Sequence, residues 1–482
     1  MSVGFVFVIL IELMALAAAM YMGAAILPVV LLIAWVNLVI YASVKARSRI
    51  ALLLFGLSFF HFLLGREFLE RFFGYEVETF SDKVITHTEV SMILSLVTIM
   101  VFYFLFEKMK WSSLKLKKKT GENSLLTYSE EHFKSPRVLR IQKCAEILFY
   151  IAIVFSAAYH LKVGMDRSSV SYYESYMESS TATLGTRPFE YIAEKFDQFL
   201  PIYLAVFWAT FPSKKKCNRA SILYAVCSAL SLLSGSRSKF LLGIMWIIVY
   251  YVYRWNNAPK DERWITKKMM IGGCAMVPVG IIGLSAMEGI RAGEGFRFSG
   301  ILHTFVGYFY QQGVSVNVIK RSYEMAALLP PGRYYSLAGI TESVVGRLLG
   351  FPHFAGNSVA YATQGSNLAH ALSYLLMPTE YLAGRGSGTS YIAELYHDFG
   401  YIGIVLGSVL MAFLLVKVIR LRTNSVFLNA ALLLIVKQLF WSPRGGFTDF
   451  LLVLLRPFSI LAFLSVWFLS VLLFRKKKAK AD

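Results

Sequence analysis

Apolar runs of roughly 20 residues recur along the whole chain, separated by shorter polar stretches. A bilayer core needs about 20 apolar residues per helix, and about twelve runs qualify. The first two, 2–22 and 24–44, predict a tight helical hairpin. Further runs lie at 50–65, 90–107, 143–162, 196–212, 219–235, 239–254, 268–288, 400–416, 425–441 and 450–474. The first run has no basic segment before it and a second run follows at once, so it reads as a retained span.

The polar stretches alternate in character. Lys45, Arg47 and Arg49 follow the second run, LKLKKKT falls between the fourth and fifth, and KKKCNR follows the sixth. Lys260, Arg263, Lys267 and Lys268 precede the ninth, Lys417, Arg420 and Arg422 follow the tenth, and RKKKAKAD ends the chain. Every second loop is basic, which predicts a multi-pass inner-membrane protein with both termini cytoplasmic. The expected fold is all-α, one transmembrane domain over 1–482, with a large outer loop at 289–390. Loops this long usually carry structure of their own. Residues 299–325 and 340–351 mix aromatic and polar groups at near-helical spacing, and LPPGR separates them. They predict a partly helical cap over a cavity.

Composition sharpens this picture. Of 482 residues, 56% are hydrophobic and only 16% charged, too few charges for a soluble chain of this length. The net charge of +20 would suit nucleic acid, but its placement between apolar runs points to membrane topology instead. Cys144, Cys217, Cys227 and Cys274 lack metal-ligand spacing, so neither zinc nor disulfides are expected. No Walker A loop, HExxH or GxSxG elbow occurs, and no cytoplasmic segment is long enough for a nucleotide-binding domain. No cofactor is expected.

The chemistry-bearing stretch is 378–403, PTEYLAGRGSGTSYIAELYHDFGYIG. A glycine-rich loop carrying Arg385 leads into a helix predicted from about Ser390, running into the tenth span. Helix starts expose unpaired N–H groups, and a guanidinium beside one suits phosphate oxygens. Tyr391, Glu394 and Asp398 share a face, with His397 beside them. Outer-side arginines run against the charge rule and form a candidate anion site: Arg237 in SGSRSK, Arg291 in IRAGEGFR, Arg385, and Arg444 in SPRGG. Candidate acid–base groups on the outer side are Glu394, His397, Asp398, His353, His370, His303 and Asp449, and Ser390 and Tyr391 are candidate substrate contacts.

The run from Pro378 to Gly403 resembles the O-antigen polymerases of the Wzy type, with its glycine-rich turn, Thr-Ser pair and E-L-Y-x-x-F-G-Y-x-G entry into a span. SGSRSKF and SPRGGF look like two further family features, and the many-span topology is similar over nearly the whole chain. The resemblance implies a GT-C-like, metal-independent glycosyltransferase at the periplasmic face. It would join oligosaccharide repeat units carried on undecaprenyl pyrophosphate, as donor and acceptor, and leaves open a chain-length regulator as a further partner. It implies that Arg237 lies near the lipid pyrophosphate. The related ligases place a histidine where this chain has Thr389 and Ser390, which leaves the base open between His397 and Glu394. A lipid-linked oligosaccharide flippase, the ligase itself and a non-enzymatic scaffold are the alternatives. A flippase would need charged residues along span interiors rather than at their outer ends.

Overall fold

A computed structural model describes residues 25–109, 130–169, 185–233, 236–257, 264–267, 301–354, 356–420 and 423–478, with isolated positions elsewhere. Among them every regular element is helical. The bundle starts with α1 (Ile26–Val44) and α2 (Ala46–Phe59), which runs through a π turn (Phe60–Leu64) into α3 (Gly65–Phe73). Next come α4 (Asp82–Lys108), α5 (Pro136–Ser169), α6 (Pro188–Ala209), α7 (Lys214–Leu230) and α8 (Arg237–Asn257). A cap of short helices follows: α9 (Ile301–Gln312), α10 (Val316–Glu324), α11 (Ala338–Thr341), α12 (Val344–Leu348), α13 (Val359–Gln364), α14 (Leu368–Leu376) and α15 (Pro378–Leu382). The chain then returns to the bundle as α16 (Tyr391–Arg420), α17 (Val426–Leu439), α18 (Asp449–Leu455) and α19 (Pro457–Lys478).

Five of these stretches are long and apolar enough to cross a membrane: Ile26–Val44, Ala46–Phe73, Asp82–Lys108, Pro136–Asp166 and Tyr391–Val418. The count is six if α18 and α19, bent by 50° at their junction, form one span. Arg456 precedes Pro457 there, and a residue before proline is pushed into extended conformation, as its ψ of 144° shows. The expected spans 196–212, 219–235, 239–254 and 425–441 fall on α6, α7, α8 and α17, which are helical but shorter or more polar. The runs 2–22 and 268–288 lie almost wholly outside the described residues. Outward apolar side chains such as Val101 on α4, Val154 on α5 and Phe468 on α19 give the bundle a lipid-facing surface.

The two ends of the bundle differ chemically. At one end Arg49 pairs with Glu107 at 2.7 Å and Arg420 pairs with it at 3.0 Å. Arg47 donates to the Trp255 carbonyl nearby at 2.7 Å. The ends of α1, α4, α8 and α16 that lead into the sequence-predicted basic loops therefore meet on one face. The cap covers the opposite end.

The helix predicted from Ser390 does not run straight into the bundle. Ser95 on α4 hydrogen-bonds both the Tyr391 hydroxyl (2.6 Å) and the Ser408 hydroxyl (2.9 Å). A straight helix would hold residues 391 and 408 about 25 Å apart, out of reach of one serine. The chain reverses at Gly400, whose φ of 63° and ψ of −154° are open only to glycine. Residues 391–399 form a first arm packed against the second, 401–420, and Gly407 leaves room for the Leu395 side chain. This corrects the expectation of a single continuous entry helix.

A buried ion network pins the cap to the bundle. Lys320 on α10 lies 2.7 Å from Glu67 and 3.2 Å from Glu70, both on α3, and all three side chains are buried. Arg71 joins Glu67 (3.1 Å) to Glu89 of α4 (3.4 Å), and Arg321 pairs with Glu78 at 2.5 Å. Arg66 bridges Glu70 (2.7 Å) and Glu78 (3.3 Å), so these four carboxylates face four cations, and such pairs are stable only when every partner stays in place.

Candidate active site

The site is built at the cap end, around the turn 442–448 and the first arm of α16. Ser442–Arg444 form one 3₁₀ turn after α17. Gly445 lies against the Trp441 indole and Gly446 against the Asp449 and Glu394 carboxylates, so neither position has room for a β-carbon. The Gly446 N–H donates to Asp449 at 2.9 Å, and the Phe447 N–H donates to Glu394 at 2.7 Å. Thr389 donates to the other Glu394 oxygen at 2.8 Å. Glu394 is 1% exposed, and both its oxygens are occupied. It therefore ties the first arm of α16 to the turn that carries Arg444.

Arg444 extends past Trp441 and Phe62, its guanidinium carbon 5.8 and 5.9 Å from the two ring centres. Phe62 belongs to the π turn, and so does His61. π turns shift a helix by one residue and often mark functional positions. His61 is 9% exposed and packs against Tyr308 and Phe309 of α9, with ring centres 5.4 and 6.0 Å away. Leu232 and Phe240, on either side of Arg237, pack with the same Tyr308 and Phe309 rings, and Trp441 meets Phe62 edge-on at 5.3 Å. The turns that carry two of the four sequence-predicted arginines thus both pack around one histidine.

Arg237 opens α8. The preceding turn is closed by Ser236 N–H donating to the Ser231 carbonyl at 2.9 Å. Two residues on, Lys239 pairs with Asp197 of α6 at 2.6 Å. Asp197 also accepts from Ser156 (2.6 Å) and lies 3.1 Å from His160 Nε2. This tether fixes the start of α8 against α5 and α6.

One turn beyond Glu394, His397 Nδ1 lies 3.2 Å from Asp398. Asp398 accepts from the Tyr335 and Ser336 N–H groups (3.1 and 2.7 Å) and from the Ser336 hydroxyl (2.6 Å). With Nδ1–H donating to Asp398, Nε2 is the lone-pair nitrogen. The Tyr335 ring meets His397 edge-on at 4.7 Å, and its hydroxyl is buried without a hydrogen-bond partner among the described residues. Burial first, and the Asp398 charge second, push that hydroxyl well above its usual range, so it stays protonated.

The other expected residues fall elsewhere. Arg385 is exposed on the loop before α16, with its carbonyl accepting from Asn357 at 3.0 Å. Arg291 lies outside the described residues. Tyr391 is fully buried, with its hydroxyl on Ser95, and Ser390 is fully buried, with its Oγ unpartnered among the described residues.

His61 is not among the sequence candidates, because it sits inside an apolar run and not in a polar loop. Its signal was present: an ionisable residue within a span marks function by default. Asp398 was placed on the helix face, but its role in orienting His397 depends on Tyr335 and Ser336, 63 and 62 residues away in sequence.

Neither the curated proteins nor the solved structures gave a match. The family model described as O-antigen polysaccharide polymerase Wzy matches residues 3–477. A match over nearly the whole length, on a multi-pass helical bundle, places this chain in the O-antigen polysaccharide polymerase Wzy family.

Proposed function

We propose that the protein joins undecaprenyl-pyrophosphate-linked oligosaccharide repeat units at the periplasmic face of the inner membrane. The cap end is then the periplasmic end and the basic end cytoplasmic, with both termini on the cytoplasmic side, in keeping with the charge rule. Arg237 and Arg444 hold the donor diphosphate. The acceptor hydroxyl attacks the anomeric carbon of the donor sugar, the bond from that carbon to the phosphate oxygen breaks, and prenyl diphosphate leaves with the electron pair. His397 takes the acceptor proton on Nε2, oriented by Asp398 at Nδ1. Glu394, with both oxygens engaged, serves as the tie between the arm and the turn rather than as the base.

The observation that supports this reading is that the turns bearing the two arginines both pack around one buried histidine: Leu232 and Phe240, either side of Arg237, pack with the Tyr308 and Phe309 rings that meet His61, and Trp441, beside the Arg444 turn, meets its neighbour Phe62. Fixed cations in a poorly solvated site stabilise a leaving diphosphate more as its charge grows, which lowers the barrier. Removing one such donor reduces turnover by about 10²–10³ in other enzymes. Purified protein given lipid-linked repeat units and no nucleotide sugar should produce longer glycans. Arg237→Ala and Arg444→Ala should lose that elongation by a similar factor. Full elongation in both variants would remove the arginines from the mechanism.

A further inference from the structure

A cationic hollow lies in the cap. Its cavity has a volume of about 320 Å³ and is lined by residues within 332–354 and 361–366, by Leu452, and by Arg456 and Pro457 at the bend between α18 and α19. It shares no residue with the group around His61. Cavities of this size suit small ligands with a few fixed polar groups.

Three guanidinium groups line it: Arg333, Arg347 and Arg456. Arg347 donates to the His353 ring at 2.8 Å, and burial together with Arg347 lowers the His353 pKa, so the imidazole is neutral and accepts. The Arg333 Nε is buried without a hydrogen-bond partner among the described residues. Neither Arg333 nor Arg456 has a carboxylate within ion-pairing distance among them. The opposing acid, Glu342, is occupied by the Tyr361 hydroxyl (2.7 Å) and Asn367 (3.3 Å), and burial raises its pKa. The hollow therefore has an excess of positive charge and donors, which selects an anion with several oxygens.

Its rim is apolar. Leu348 and Leu349 are 82% and 67% exposed beside Arg347, and Phe351 lines the cavity mouth. An anionic head in the hollow would leave an attached hydrocarbon chain against this rim, at a bend that leads into the apolar helix α19. Phe354, stacked on Tyr361, adds an aromatic wall for a sugar.

We infer that this hollow takes the diphosphate head of a second prenyl-linked saccharide, the acceptor, while Arg237 and Arg444 take the donor. The inference rests on the polymerase reading above, because joining two lipid-linked units requires two amphiphilic anions at once.

The test is binding stoichiometry. Purified full-length protein in detergent is titrated with undecaprenyl diphosphate and read by native mass spectrometry. Wild type should bind two equivalents. Arg347→Ala/Arg456→Ala and Arg237→Ala/Arg444→Ala should each retain one, with affinity for the lost equivalent down about tenfold or more. Arg347→Lys/Arg456→Lys keeps the charge and should restore part of the binding, which separates site loss from misfolding. Inorganic diphosphate should compete weakly at the hollow, since it lacks the chain that the rim holds. A single equivalent in wild type, two equivalents retained in Arg347→Ala/Arg456→Ala, or displacement by an equal concentration of phosphatidylglycerol would each overturn the assignment. Elongation by wild type with only one equivalent bound would sink this inference and leave the polymerase reading standing. Two equivalents without elongation would do the reverse.

Discussion

The reversal at Gly400 makes a quantitative prediction that a continuous helix cannot share. Leu395 on the first arm is 3% exposed and sits where a β-carbon on Gly407 would have to go. In a straight helix these residues would be about 18 Å apart and could not interact. Gly407→Ala alone overpacks the seam and should destabilise by about 1–3 kcal/mol. Leu395→Ala alone leaves a hole and should cost about 2–5 kcal/mol. In the double variant the new methyl enters the space left by the leucine, so the combined loss should fall short of the sum by about 1–3 kcal/mol, the range seen for residues in contact. The assay is denaturant unfolding in detergent, read by the fluorescence of buried tryptophans such as Trp208 and Trp246, for wild type, both single variants and the double. Additivity within about 0.5 kcal/mol would mean the two positions do not touch, and the hairpin would be wrong.

Three further outcomes follow from the same geometry. Asp398→Asn keeps the shape but lets the wrong His397 tautomer form. Elongation should fall by about 10²–10⁴ with substrate KM little changed and an altered pH–rate profile, whereas a merely structural role would move stability instead. Lys320→Met leaves Glu67 and Glu70 buried without their shared cation and should destabilise the protein by about 3–5 kcal/mol, measured as a lower unfolding midpoint. His370 is held neutral by burial, with its pKa lowered to about 4 from 6.5, its ring stacked on Tyr361 and Nδ1 at 2.9 Å from the Tyr381 hydroxyl. Because the folded pKa is depressed, its contribution is full above about pH 6.5 and is lost as pH falls towards 4. His370→Gln should flatten that part of the stability–pH curve.

Much of the helix inventory was legible, because a 20-residue apolar run has few structural solutions in a membrane. Runs such as 24–44 and 90–107 fall on α1 and α4 with small shifts at their ends. The reversal in α16 was hidden because FGYIG reads as an ordinary apolar helix entry. What makes Gly400 a corner is a contact with α4, almost 300 positions earlier, and spacing within one segment carries no trace of it. The ion network was hidden for the same reason. Glu67, Glu70 and Glu78, with Glu76 and Asp82, read locally as an acidic outer loop, and only folding brings Lys320 to it, 250 residues from Glu70. The arginines in short turns are legible because cations there break the charge rule, whereas His61 is one polar position within an apolar run and nothing in its local spacing ties it to those turns.

The first arm of α16 is held at two points along one face, and this bears on how the site can move. Glu394 fixes it to the turn carrying Arg444, while Asp398 fixes it to Tyr335 and Ser336 of the cap. Thr448, in that same turn, donates to the Ser336 carbonyl at 2.7 Å and accepts from the Gly339 N–H at 2.9 Å. The turn, the arm and this part of the cap therefore form a closed loop of hydrogen bonds. None of the three can shift without breaking bonds to both of the others, and each broken buried bond leaves a donor or acceptor uncompensated at about 1–3 kcal/mol. On the proposed function, any motion that admits long substrates lies outside this loop of bonds. The group bearing His397 and Arg444 stays preorganised, which is the condition under which fixed charges lower a barrier instead of following the substrate.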